Sequence, residues 1–459
     1  MRITIPIILT FLLASIHGIS FGQDADSVQI KKISDDIFIN GIAYKNLYTL
    51  CKKVGPRLSG SPQAELAITY TKKMLEEAGA DTVYLQPCMV PNWKRGAKES
   101  AYIEMANGKR TYLKICALGN SVGTGSKGIE TSIIEVKSFD ELKQLGSETI
   151  KGHIVFFNFE MNPTYVRTFM AYGESGIARR QGPSMAAKYG AIGVIVRSLA
   201  SNEDNFPHTG VTTYNDSFPK IPAVAISTND AIFLSKQIKL RMQHRVFIQT
   251  NCSMQANVLS YNVIGEIRGS KWPEKIITVG GHLDSWDLAE GAHDDGAGIV
   301  QSIEVIRALK KNGIAPNHTI RAVMFMNEEN GGAGADAYFK NAKEKNEKHL
   351  FALESDAGGF TPRGLSVDVN ENQFNKILQW KPLLQPYGLY EFSKGGSGAD
   401  IGQLKELGAA LAGMQPDSQR YFDVHHASTD VFESVSKREL NLGAINMTAI
   451  IYLIDKYGL

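Results

Sequence analysis

Lys275–Gly298 reads KIITVGGHLDSWDLAEGAHDDGAG. It opens on a short apolar, β-branched run of the length expected for a buried strand. That run passes into a Gly-rich loop carrying His282, Asp284, Asp294 and Asp295. A helix is expected to follow over 297–311. In open α/β sheets, ligands bind in the loops beyond the carboxyl ends of the strands, which is where these side chains fall.

The same arrangement recurs downstream. The run TIRAVMFM (319–326) ends in Asn327, Glu328, Glu329 and Asn330, and HLFALES (349–355) ends at Asp356. The later segment YFDVHHASTD (421–430) supplies His425, His426 and Asp430. Further helices are expected near 334–345, 372–386 and 437–457. Apolar strands separated by helices imply a mostly parallel sheet covered on both faces. The expected fold class is therefore α/β, a three-layer sandwich with a mostly parallel central sheet.

Upstream, residues 34–80 read as helical, with Gly79 as a stop signal, and 82–117 hold short β-like runs. From about 120, Gly-rich turns alternate with TSIIEV, GHIVFFNF, the helical PSMAAKYG and AIGVIVRS, ending near a helix at 228–239. At 459 residues the chain is about three times a typical ~150-residue domain. The expected layout is a signal peptide at 1–22, the first part of an α/β domain at 23–118, a β/α insert at 119–254 and the second part at 255–459.

The signal reading rests on Arg2, the only charge before Asp24, on the apolar stretch Ile3–Leu13, and on small residues up to Gly22. It implies export, to the periplasm or the medium. No other stretch reaches the ~18 apolar residues of a membrane span. Lys plus Arg number 49 and Asp plus Glu 47, a formal charge of +2, so no basic field exists to gather nucleic acid. Four cysteines in this length do not make a disulfide scaffold. Export permits bridges among Cys51, Cys88, Cys116 and Cys252, and buried free thiols are equally open.

Each acid or histidine alone reads as turn chemistry, a helix cap or a solvated charge. Together they differ. Adjacent carboxylates at the end of a buried strand repel and cost desolvation unless cations compensate. Divalent metal ions are the simplest compensation, and imidazole with carboxylate ligands suits Zn²⁺. Two histidines and three carboxylates suffice for two ions sharing a bridging carboxylate. One further glutamate must stay unligated to take a proton from the nucleophilic water. The Glu328–Glu329 pair offers one ligand and one base.

The pattern GGHLDS…GAHDDGAG…NEE…SDAGG…HHASTD resembles the co-catalytic dizinc exopeptidases, the zinc aminopeptidase and glutamate carboxypeptidase family, and within it the carboxypeptidase Q branch. VGPRLSGSPQAELA and VPNWKRGAKE resemble the N-terminal part of that branch. RRQGPSMAAKYGAIGVIVRS and PHTGVTTYNDSFPKIPAVAIS resemble its protease-associated-type insert. The resemblance spans residues 40–457. It implies that His282, Asp294, Glu329, Asp356 and His426 ligate two Zn²⁺, with Asp294 bridging, and that Glu328 is the general base. His426 rather than His425 fits the ligand, because the family spacing places an acid four residues on, here Asp430. Asp284 is implied as the acid that orients His282. The resemblance also implies hydrolysis of short peptides, dipeptides with a free N-terminus foremost, by a homodimer. The alternatives are an aminopeptidase on longer peptides, a single-zinc cyclising or deacylating enzyme, and a non-catalytic peptide-binding protein.

Asp295 is expected to support its turn. The Gly-rich KGGSGAD (394–400) is a candidate wall of the substrate pocket, and PHTG (207–210) a candidate to reach over the site, with His208 structural. Trp93, Lys94 and Arg95 could cap the cleft. Asn317-His318-Thr319 is a glycosylation sequon by pattern.

Overall fold

The computed structural model describes residues 7–105, 108–240 and 245–459, with side chains from 24 onward. The expected leader at 1–22 therefore lies outside the residues whose side chains are described. A helix spans Ile7–Asn40. Among the described residues no helix is long and apolar enough to cross a membrane.

The quoted strand, Trp272–His282, lies in the middle of an eight-stranded sheet. The order is Thr82–Lys94, Ser253–Ile267, His318–Phe325, Trp272–His282, Lys348–Glu354, Ala410–Pro416, Pro362–Asp368 and Glu391–Lys394. The four strands from His318–Phe325 to Ala410–Pro416 run parallel. The two strands before them pair antiparallel, and Pro362–Asp368 returns antiparallel. Alternate residues of the parallel block feed opposite cores. Ala322 and Met324 join one, with Val279 and Leu353; Val323 and Phe325 join the other, with Ala352 and Leu411. Burial on both faces explains the unbroken apolar runs. Helices Ala297–Lys311 and Lys437–Tyr457 cover the first face, and Ala333–Glu344 the second. This is the expected three-layer α/β architecture.

Local signals set the helix ends. Ser61 accepts from the Ala64 amide at the start of Pro62–Ala78, with Pro62 at the first helical position, and Gly79 closes the helix in the left-handed region at φ 91°. The expected helix at 372–386 is broken into Glu371–Gln379 and Lys381–Leu384, because Pro382 and Pro386 lack the amides a continuous helix needs.

A second eight-stranded sheet has the order Arg110–Leu113, Ser100–Glu104, Arg245–Gln249, Ile129–Val136, Ile154–Phe157, Gly193–Arg197, Ala223–Ile226 and Ile115–Ala117. It begins earlier than the boundary expected at 119. The Gly-rich change of texture near 120 marks the start of its parallel strands, but an antiparallel hairpin at 100–113 already builds its edge. Its strands also alternate between two cores, Val155 and Phe157 on one side and Ile154 and Phe156 on the other.

All four cysteines are free and buried. Burial pushes the Cys88 and Cys116 thiols up to about 12, so neither is a thiolate near neutral pH. Arg95 does not cap a cleft: it pairs with Asp287 at 2.6 Å and Glu99 at 3.0 Å, inside the molecule. The Asn317 side-chain amide donates to the Asp455 carbonyl at 3.1 Å, so the fold already uses the sequon's acceptor nitrogen.

Candidate active site

The site lies beyond the carboxyl ends of the parallel strands, where the register brings His282 beside Phe325 and Gly280 beside Glu354. His282 ends its own strand. Its Nε2 lies 3.1 Å from Asp294 Oδ1 and 3.4 Å from Asp356 Oδ1. On the other side of Asp294, His426 Nε2 lies 3.2 Å from Oδ2 and 3.2 Å from Glu329 Oε2. Asp294 thus sits between two imidazoles, each with a second carboxylate beside it.

Backbone geometry holds this loop. Asp430 accepts from the amides of His293 at 2.7 Å and Asp294 at 3.1 Å. Asp295 accepts from the amides of His282 at 3.1 Å and Gly298 at 3.0 Å, so both its oxygens serve the turn. Arg57 is fully buried and donates to the carbonyls of Leu283, Glu290 and Gly291 at 2.6, 2.6 and 2.9 Å. His293 stacks on Phe360 at 4.1 Å and accepts from the Gly359 amide, which leaves it a packing role.

Asp284 Oδ1 lies 3.7 Å from His282 Nδ1, whose nearer partner is the Asp284 carbonyl at 3.0 Å. The same carboxylate accepts from the amides of Asn327 at 2.7 Å and Glu328 at 3.0 Å. One acid therefore touches both the histidine and the loop that carries the two glutamates. Glu329 Oε1 accepts from the Trp286 amide at 3.1 Å, which aims its other oxygen at His426.

The electrostatics follow from crowding acids in a buried space. Desolvation alone would lower His426, but the Glu329 charge and hydrogen bonds to Asp294 and Glu329 outweigh it and hold the imidazole up to about 10. His282 is raised for the same reason, with Asp356 the largest opposing influence. Burial and then the charges of Asp356, Glu329 and Asp294 push Glu328 well above the usual carboxylate range, the His282 charge partly opposing them. The cluster calls for positive charge. Its donors fit metal: among the described residues three overlapping groups, each with its ligand atoms within 4.8 Å of one another, are built from His282, Asp294, Asp295, Glu329, Asp356, His425 and His426. His425 Nε2 reaches only Asp294, at 3.7 Å, and its ring stacks on His426 at 3.6 Å.

The second sheet's module closes the cavity above these acids. Phe169, Tyr172, Arg179, Arg180 and Val211 line it together with Glu328, Glu329, Asp356 and His426. Its PHTG loop clasps the histidine pair. His208 Nδ1 lies 2.7 Å from the His425 carbonyl, the Thr209 amide donates to the His426 carbonyl at 3.0 Å, and the Thr209 carbonyl lies 3.2 Å from His426 Nδ1. KGGSGAD wraps a different acid: the amides of Ala399, Asp400 and Ile401 donate to Glu354 at 2.8, 3.0 and 3.0 Å. Arg57 and Arg179 have no signal in local sequence, because each acts across segments distant in the chain.

A profile of peptidase family M28 matches residues 262–451. Carboxypeptidase Q from Homo sapiens is 34% identical over 412 residues, covering 90% of this chain and 85% of the relative. A peptidase M28 precursor from Shewanella amazonensis SB2B superposes with a TM-score of 0.89 at 28% identity, covering 94% of this chain and 97% of that one. A zinc aminopeptidase from Bacillus subtilis shares the fold, with a TM-score of 0.65 at 20% identity over 90% and 94% of the two chains. Near-complete coverage by a relative this similar places the whole chain, and not only its metal loops, in one lineage: it belongs to peptidase family M28 and is a metallopeptidase.

Proposed function

We propose that the chain is an exported zinc exopeptidase that cleaves short peptides, dipeptides with a free amino terminus foremost. The observation that carries this reading is Asp294, whose two oxygens each face an imidazole Nε2 with a second carboxylate alongside. His282 and Asp356 would hold one zinc ion, Glu329 and His426 a second, and Asp294 would bridge them. His426 rather than His425 is the ligand, because its Nε2 reaches both Asp294 and Glu329. Bound zinc supplies Lewis acidity toward the scissile carbonyl and acidifies water.

The remaining work falls to the chain's own groups. Glu328 lines the cavity beside the ligand acids. It takes the proton from the attacking water and returns it to the leaving amine. Asp284 positions Glu328 through that residue's amide and orients His282. The wall formed by Phe169, Tyr172 and Val211 limits the space above the acids, which favours short substrates. The leader-like residues 1–22 support export to the periplasm or the medium. The test is hydrolysis of a dipeptide panel by the zinc-loaded chain beside Glu328→Ala, with zinc counted in both. Two ions in each, and hydrolysis lost only in the variant, is the expected result. A zinc-loaded chain that cleaves no peptide overturns the reading.

A further inference from the structure

Arg95 stands on the crossover from Thr82–Lys94, the edge strand of the first sheet, to Ser100–Glu104 of the second. Its side chain is 10% exposed. Nε and Nη2 donate to the two oxygens of Asp287 at 2.8 and 2.6 Å, the fork that arginine forms with a carboxylate. Nη1 donates to Glu99 at 3.0 Å and to the Ala117 carbonyl at 2.7 Å. Nη2 also reaches the Thr209 hydroxyl at 3.4 Å. One guanidinium thus meets the loop that follows His282, the second sheet and the PHTG loop.

A buried pair of this kind is weak evidence of stability, because desolvating both charges offsets their attraction. The loop does not depend on it for its course, since Arg57 already holds the carbonyls of Leu283, Glu290 and Gly291. What the pair fixes is how the loop and the second module face two of the site's ligands. Trp286 immediately precedes Asp287. Its amide donates to Glu329 Oε1 at 3.1 Å, and its ring lies edge-on to His426 at 5.8 Å. The same ring packs over Gly119, where any Cβ would run into the indole. On the other side, the Thr209 hydroxyl donates to the same Ala117 carbonyl at 2.9 Å. The Thr209 carbonyl lies 3.2 Å from His426 Nδ1, which Arg179 Nη1 also faces at 3.3 Å. Both routes from Arg95 end on Glu329 and His426. Among the described residues neither makes a hydrogen bond or ion pair to His282 or Asp356. Asp284 and Asp295 hold His282, and Asp356 lies against it.

We propose that Arg95 is a positioning residue for one of the two metal ions. By keying Asp287 against the second module, it sets the affinity of the Glu329–His426 site and leaves that of the His282–Asp356 site unchanged. This rests on the two-ion reading above.

The experiment titrates the zinc-loaded full chain with a chromophoric chelator and counts the ions retained at each step. It compares the wild type, Arg95→Lys, and the double variant Arg95→Gln with Asp287→Asn, which removes the pair without stranding the Asp287 charge. The wild type should hold two ions. In the double variant one should weaken by about 10- to 100-fold, the range for a group that orients a metal ligand, and the other should titrate as in the wild type. Arg95→Lys keeps the charge and loses the fork, so it should show a smaller loss on the same ion. Repeating the comparison in a Glu329→Gln background, which impairs only that site, identifies the ion. The remaining one should be indifferent to the Arg95 change. Equal weakening of both ions, no weakening, or an effect that persists in Glu329→Gln overturns the inference and leaves the peptidase reading standing. If the double variant does not fold, Arg95→Lys decides on the same criteria. A wild type that binds fewer than two ions removes the two-ion reading, and the Arg95 assignment falls with it.

Discussion

The carbonyl oxygen of Thr209 lies 3.2 Å from Nδ1 of His426. The two residues belong to different sheets' modules and are far apart in the chain. Arg179 Nη1 faces the same Nδ1 at 3.3 Å, so the second module meets His426 through Nδ1 while Nε2 faces Asp294 and Glu329. His426 also has φ 61°, a left-handed conformation uncommon outside glycine. The Thr209 amide on its carbonyl and His208 on the carbonyl of His425 hold it there. The second module is therefore part of the metal centre's support as well as a wall of the cavity.

That support can be measured without turnover. His208→Ala removes the donor to the His425 carbonyl and frees the histidine pair to relax. Zinc affinity should fall by about 10- to 100-fold, as for other groups that orient ligands. Competition with a chromophoric chelator reads this directly. Asn at 208 can still donate to a carbonyl and should recover part of the affinity. Unchanged affinity in His208→Ala would show that the clasp only packs the two modules together.

Glu328→Gln keeps the side chain's size and removes its basicity. Hydrolysis should fall by at least the ~10²–10⁴-fold expected of acid–base catalysis, with zinc content as in the wild type. Asp284→Asn should differ in kind. Its carboxylate accepts from the Asn327 and Glu328 amides and lies beside His282, so both zinc affinity and rate should drop. Isothermal titration of zinc alongside steady-state kinetics separates the two. If Glu328→Gln retains full activity, another group takes the proton.

Arg57 spends its guanidinium on three backbone carbonyls of the 283–291 loop, with no exposed surface. Arg57→Ala leaves those carbonyls and the vacated volume behind. Each buried orphan costs about 1–3 kcal/mol, so a total loss near 3–5 kcal/mol is expected after relaxation. Denaturant unfolding of the chelated and zinc-loaded protein checks it. Because Asp294 follows this loop by three residues, the deficit should be larger in zinc, where loop order matters for binding as well as for folding. An equal deficit in both states would separate the loop's folding role from the metal.

Most of the central sheet could be read from sequence because its signals are local. A β-branched run, a Gly loop and an apolar-periodic helix repeat along 272–311, and burial on both faces leaves little polar interruption. The clustering of His282, Asp294, Glu329, Asp356 and His426 could be anticipated, since strand ends in a parallel block share one edge. What escaped the sequence depends on contacts between segments. The Ser100–Leu113 hairpin looks like any exposed β pair until its partner Arg245–Gln249 is known. Asp284 was expected to orient His282 alone, and its amide contacts to Asn327 and Glu328 come only from strand register. Arg179 and Arg180 look like an ordinary basic pair on a helix, because nothing nearby in the chain shows which cavity they line.

The far end of the parallel block offers a pH test that the metal does not touch. Arg321 and His349 flank Glu347, at 2.7 Å and 3.3 Å. Burial pushes this carboxyl up, but hydrogen bonds from His349 and Arg321 outweigh burial and bring it down to about 2, from an ordinary 4.5. Its folded value is therefore below its unfolded one. The stability it contributes is complete above about pH 4.5 and is lost as the pH falls toward 2. Glu347 is partly exposed, so solvent screening reduces the contribution to about 1–2 kcal/mol. Thermal melts of the chelated protein between pH 6 and pH 2 should show this loss. Glu347→Gln should be less stable than the wild type at pH 6 and should converge with it near pH 2. A constant difference between the two proteins across that range would mean that the Arg321–Glu347–His349 group contributes through packing and not through charge.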